Sequence, residues 1–267
     1  MNSSELAKNV RIHCLKMVYE AKSAHIASAL SIIDILAILY VHILKIFPSD
    51  PTNYKRDRFI LSKGHACVAV YAVLAECGFF EKELLKTYGK NSSILMNHIS
   101  HKVPGVEFSS GSLGHGLSFA VGKALAAKNT GVNWKNYVLM SDGEMQEGSN
   151  WEALLFAAHH KLDNLIAIID YNNLQSLATV EDTLSIHPLD EKLKSFGWHV
   201  VKVDGHNHDS MKRCFGNVQE VNDKPTIIIA RTTKGKGVSF MENKVEWHYN
   251  SPTEQDLKIA INEIENA

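Results

Sequence analysis

Several common kinds of protein are excluded by what this chain lacks. It has no surplus of either charge, with 28 Lys and Arg against 29 Asp and Glu, so no global basic field draws in nucleic acid. Its four cysteines, Cys14, Cys67, Cys77 and Cys214, form no C-x-x-C pair. They read as reduced structural thiols of a cytoplasmic protein, not as a disulfide framework. The opening residues Met1-Asn2-Ser3-Ser4-Glu5 contain no apolar signal-peptide core. No Gly-x-Gly-x-x-Gly is present, and no Lys-Ser/Thr follows the glycine run Gly111–Gly116, which argues against an unrelated nucleotide-binding protein. One apolar run, Ile26 to Phe47, has the length of a membrane span. Asp34 in its middle, and His42 and Lys45 beyond, are costly in lipid, so a helix buried in a sheet protein is expected and no membrane.

What is present is ordinary globular composition, 45% hydrophobic and 21% charged, with enough length for a large core. Short runs rich in Val, Ile and Leu alternate with helix-like stretches. The expected strands are 58–61, 137–140, 165–169, 199–203 and 226–230. The expected helices are 64–77, 113–128, 149–161 and 209–221, preceded by one over 5–20 and one within the apolar run. Repeated strand–helix–strand order predicts an α/β protein, a mostly parallel sheet covered on both faces, in three αβα layers. With no internal repeat or long linker, residues 1–267 read as one domain. Ligands of such sheets bind at the carboxyl ends of strands. The unusual residues fall there: Ser62-Lys63-Gly64-His65, Ser141-Asp142-Gly143-Glu144 and Tyr171-Asn172-Asn173.

An aspartate at one strand end and an asparagine at the next offer oxygens to a hard cation, and Gly143 allows close approach of a phosphate. Magnesium is commonly held by one or two protein oxygens together with phosphates and water, so the pattern suits a metal-bound diphosphate. Taken alone, an Asp-Gly or Asn-Asn turn is more often a plain loop. The separation of Asp142 and Asn172 by 30 positions is the informative feature.

That spacing resembles the thiamine-diphosphate enzymes, with Ser141 in place of their leading glycine. The resemblance implies Mg²⁺ (Ca²⁺ or Mn²⁺ able to substitute) on Asp142, Asn172 and the carbonyl of Leu174, with Gly143 and Glu144 at the diphosphate. Within that superfamily the chain is similar to transketolases. The blocks Asp57-Arg58-Phe59-Ile60-Leu61-Ser62-Lys63-Gly64-His65-Ala66, Val103-Pro104-Gly105-Val106-Glu107, Ser109-Ser110-Gly111-Ser112-Leu113-Gly114-His115-Gly116, Asp142–Gly148 and Thr233-Lys234-Gly235-Lys236-Gly237-Val238 before Trp247-His248 occur in the family's order. By that resemblance His65 contacts the diphosphate, and Gly111, Ser112 and Leu113 line the cofactor's rings. His25, His98 and His248 face the substrate, His248 also touching the cofactor. Glu147, with Glu152 nearby, joins a proton network at a subunit interface.

Departures from the pattern bear on specificity. Split transketolases usually carry glycines where this chain has Ala24, Ala27 and Ser28, and the family usually has glycine where it has Tyr249. His98 lacks the usual Gly-His-Pro context, and His101 rivals it for the same place. A core or interface histidine is the alternative for His25. His206 and His208 read as structural, since no third metal ligand can be named.

The resemblance implies the N-terminal subunit of a thiamine-diphosphate- and Mg-dependent transketolase, passing a two-carbon ketol unit from a ketose to an aldehyde acceptor. The histidines are expected to carry pKa values suited to neutral pH. The pyrimidine-binding domain is expected on a C-terminal transketolase subunit, in an α2β2 heterotetramer acting on sugars or sugar phosphates. Glycine replacements beside His25 raise the prospect of a modified sugar. The alternatives are the α subunit of a 2-oxo acid dehydrogenase and a catalytically silent cofactor-binding paralogue.

Overall fold

The structure, a computed structural model, describes residues 2–266. Five strands form one sheet: β1 Arg58–Leu61, β2 Asn136–Ser141, β3 Leu165–Tyr171, β4 His199–Asp204 and β5 Thr226–Arg231. Their order is β1-β2-β3-β5-β4, and every pairing is parallel. The chain passes from β3 over the place of β5 to the edge, then turns back to insert β5.

Side chains alternate across this sheet and divide the interior in two. Phe59, Leu61, Tyr137, Leu139, Ile166, Ile168, Ile228 and Ala230 face one core. Ile60, Val138, Met140, Ala167, Ile169, Ile227 and Ile229 face the other. Burial on both faces explains why the strands are unbroken apolar runs.

Ten α-helices complete the layers among the described residues. They are α1 Ser3–Ala21, α2 Ile26–Leu30, α3 Ile33–Ile38, α4 Cys67–Glu76, α5 Gly116–Thr130, α6 Gly148–His159, α7 Val180–Thr183, α8 Leu189–Ser195, α9 His208–Val218 and α10 Glu254–Glu265. Helices α1–α4, α9 and α10 cover the first face, and α5–α8 the second. Strand ends match expectation within two residues. One difference matters: β3 continues through Asp170, so a carboxylate lies inside a strand.

The apolar run is helical over Ile26–Ile43, long and apolar enough to cross a membrane but mostly buried inside the protein. It comprises α2, α3 and a π-helical turn, Leu39–Ile43, all packed into the first core. Between α2 and α3 lies Ser31, whose hydroxyl donates to Asp170 at 2.6 Å and ties this segment to the sheet edge. Asp34, in α3, accepts from Arg11 at 2.6 Å and is met by His206 Nδ1 at 2.7 Å and His208 Nε2 at 3.1 Å. His206 and His208 thus fasten α3 to the turn between β4 and α9. Burial alone works to raise the Asp34 carboxyl, but these partners hold it far below the carboxylate range. The four cysteines are all unpaired.

Candidate active site

The turns after β1, β2, β3 and β5 converge on a cleft of about 250 Å³, lined also by His248 and Tyr249 at the end of the 3-10 turn Val245–His248. Beneath it lies a buried charge pair. Lys63 Nζ donates to Asp170 at 2.5 Å and to the Ser28 carbonyl at 3.3 Å. Asp170 also accepts from Asn172 Nδ2 at 3.0 Å and from the Thr232 hydroxyl. Burial opposes ionisation of Asp170, yet the adjacent Lys63 ammonium outweighs it and keeps the carboxyl below its ordinary range.

Asp142 is fully buried and accepts N–H groups from Gly143 at 2.8 Å and Asn173 at 2.5 Å. Burial, and then the Asp170 charge, push its carboxyl up to about 6. Its neighbour Glu144 is turned away from the cleft. Glu144 accepts from Ser62 Oγ at 2.5 Å, Gly114 N–H at 2.9 Å and Ser141 N–H at 3.3 Å, clamping three turns together. Its side chain is therefore bonded to those turns and does not line the cleft. Gly114, at φ 83°, is held so close to Glu147 that an added Cβ would lie 2.6 Å from the glutamate Cβ.

The histidines form one group. His25 has its ring centroid 5.2 Å from His65, 5.8 Å from His98 and 5.0 Å from His248. It stands at φ 74°, its N–H donated to the His248 carbonyl at 2.8 Å. Burial first, then neighbouring positive charge, depress His25 to about 4, His248 to about 3 and His65 well below its ordinary value. This differs from the near-neutral values expected: packed together beside two lysines, with His248 buried and His25 and His65 half-buried, these rings are uncharged at pH 7. His98 sits exposed at the rim, whereas His101 is engaged with Ser109 Oγ at 2.7 Å outside the cleft.

Lys234 was not identified from the sequence, yet it is buried in the cleft wall. Its Nζ donates to the Gln175 carbonyl at 2.7 Å, approaches the Leu174 carbonyl at 3.5 Å and lies 3.0 Å from His248 Nδ1. Burial, and then Lys63, lower it to about 8. Asp170 and Gln175 were missed as well. The visible signal for Asp170 was a carboxylate continuing an apolar strand run.

Of the remaining expected positions, Gly111, Leu113, Gly143, Asn172 and Leu174 line the cleft. Ser112 is exposed beside it, and Glu147 is exposed at the start of α6, outside the lining. Asn172 Oδ1 accepts the Leu174 N–H at 3.0 Å.

The residues fit a metal-bound diphosphate. Among the described residues no group of three or more His, Cys, Asp or Glu side chains could hold a metal unaided. One carboxylate, one amide oxygen and one carbonyl suit a hard cation only if phosphate and water complete its shell. Gln175 Nε2 is a buried donor without a partner in the same cleft, and Lys63 and Lys234 add positive charge. An anionic ligand would satisfy all three.

Such a site at the carboxyl edge of a parallel sheet defines a diphosphate-binding α/β protein. The model of the family "Transketolase, thiamine diphosphate binding domain" matches residues 2–264, and this chain belongs to that family as a transketolase-type subunit. It is 42% identical over 254 residues to an apulose-4-phosphate transketolase subunit of Phocaeicola vulgatus, covering 95% of this chain and 90% of that one. It is 39% identical over 260 residues to "6-deoxy-6-sulfo-D-fructose transketolase subunit SqwG" of a Clostridium species, covering 97% and 94%. The transketolase structure from Campylobacter jejuni superposes with a TM-score of 0.94 at 33% identity, over 99% of this chain and 43% of that one. The chain thus spans less than half of that solved transketolase.

Proposed function

We propose that this chain, as one domain, is the diphosphate-binding half of a two-chain transketolase that moves a two-carbon ketol unit from a ketose to an aldehyde. The observation that carries this reading is the meeting of Asp142, Asn172 and the Leu174 carbonyl with a cationic, histidine-lined cleft. Asp142, Asn172 and Leu174 would hold Mg²⁺. His65 and Gln175 would hold the diphosphate of thiamine diphosphate, against the bare backbone of Gly143. When bound, that cofactor supplies the electron sink for breaking and making a carbon–carbon bond.

This chain's own residues then position and protonate. His25, His98 and His248 bind substrate hydroxyls. His25, uncharged at pH 7, offers one N–H and one acceptor nitrogen and can exchange a proton with a substrate hydroxyl, whereas His248 Nδ1 faces Lys234 Nζ and leaves its Nε2–H to donate to one. Glu147, exposed at the start of α6, faces a companion subunit in this reading and joins its proton network.

The partner is a C-terminal transketolase subunit carrying the pyrimidine-binding domain, in an α2β2 assembly located in the cytoplasm. The word "subunit" in the relatives' names supports a divided enzyme. Their names also support a sugar or sugar phosphate of modified skeleton, in keeping with Ala24, Ala27 and Ser28. Calorimetry on the two-chain complex tests the reading. Mg²⁺-dependent uptake of thiamine diphosphate, lost in Asp142→Ala, is expected. Uptake indifferent to Mg²⁺ and to Asp142 would overturn it, and decarboxylation of pyruvate in place of ketol transfer would favour a 2-oxo acid dehydrogenase subunit.

A further inference from the structure

Tyr249 closes the 3-10 turn Val245–His248 and stands at the mouth of the cleft. It is 57% exposed, whereas His248 beside it is buried. Its ring lies 4.8 Å from the His248 ring and 6.0 Å from the His25 ring, tilted at 69° and 56° to them. Among the described residues, no group hydrogen-bonds its hydroxyl. The ring is therefore placed by packing on the two histidines, and most of its surface is free at the entrance of a polar cleft. By the family resemblance glycine is the usual residue here, and Tyr249 fills with a ring the space that a glycine would leave.

A large exposed aromatic beside hydrogen-bonding histidines is suited to one kind of contact: C–H faces against the ring and hydroxyls against the imidazoles. We infer that Tyr249 is a specificity-determining residue, a wall that limits the length and breadth of the ketose beyond its reacting carbon. This inference rests on the ketol-transfer reading of the same cleft. A compact donor packs against the ring. A longer linear donor meets the ring where a glycine would leave open space, and must bend around it or lose contacts with His25 and His248.

The experiment measures kcat and KM for the reconstituted two-chain enzyme with hydroxypyruvate and with ketose phosphates of five, six and seven carbons. Hydroxypyruvate is the shortest donor, keeping its ketol unit and losing carbon dioxide. Tyr249→Gly is expected to raise kcat/KM for the seven-carbon donor relative to hydroxypyruvate by about 10-fold, mainly through KM, as removal of a steric wall does. Tyr249→Phe keeps the wild-type preference, because the ring and not the hydroxyl forms the wall. An unchanged donor preference in Tyr249→Gly, with the wild type active, overturns the inference alone. So does a change in Tyr249→Phe as large as in Tyr249→Gly, which would assign the effect to the hydroxyl. No turnover of any donor by wild type or variant overturns the ketol-transfer reading, and this inference with it.

Discussion

Lys63 and Asp170 are each at most 1% exposed, and each is tolerable there because of the other. Removing one member of a buried pair strands the opposite charge, which costs about 3–5 kcal/mol. Lys63→Ala is therefore expected to lower stability by that amount, read as a fall in the urea midpoint at constant slope. The histidines make a second residue-scale prediction. In the unfolded chain they take up protons near 6.5, but in the folded cleft His25 does so only at about 4 and His248 at about 3. Between those limits the unfolded state binds more protons, so stability falls as pH drops from about 6.5 toward 4. A flat stability profile across that window would contradict the burial of these rings. Because Lys63 and Lys234 contribute to the depression, an anion in the cleft should raise both values. Histidine NMR titrations with and without magnesium pyrophosphate would measure the shift.

At the scale of elements, joints between segments depend on single side chains. Asp34 joins α1, α3 and the turn leading to α9 through Arg11, His206 and His208. Asp34→Ala leaves a buried cation and two imidazoles without their acceptor, and a loss of about 3–5 kcal/mol is expected in denaturant unfolding. At α10, Thr253 and Asp256 form a capping box in which each side chain takes the other's backbone N–H. Thr253→Ala should cost about 1 kcal/mol and leave the distant cleft unaffected. Neither this cap nor α10 was among the elements expected from the sequence. The tie between the apolar run and the sheet edge was not legible there either, because it is a hydroxyl reaching a strand 139 residues away in sequence.

Taken whole, the molecule places its unusual residues at one edge of the sheet, and the order β1-β2-β3-β5-β4 brings four strand ends to that edge. With a single carboxylate among the proposed metal oxygens, cation and diphosphate must bind together. Chelation of Mg²⁺ is therefore expected to release thiamine diphosphate from the two-chain complex, and re-addition to restore it, followed by equilibrium dialysis. By itself the chain should show no ketol transfer until its companion is added.

Periodicity and composition were enough for the sheet, because strands buried on both faces must be apolar runs and the turns between them need Gly, Asn, Asp and Ser. Asp142 and Asn172 were marked by their spacing and His25, His65 and His248 by resemblance to transketolases, and folding brings all five to one cleft. Folding decided the rest. Lys234 reads as a solvated lysine in a glycine-rich loop, and its burial comes from that loop packing on α2, where Gly235 N–H meets the Ala27 carbonyl at 3.0 Å. Glu144 lies in the motif, yet hydrogen bonds from Ser62, Gly114 and Ser141 turn its side chain away from the cleft. The charge state of the histidines also depends on burial and on lysines distant in sequence, so it is a property of the assembled site and not of any local run of residues.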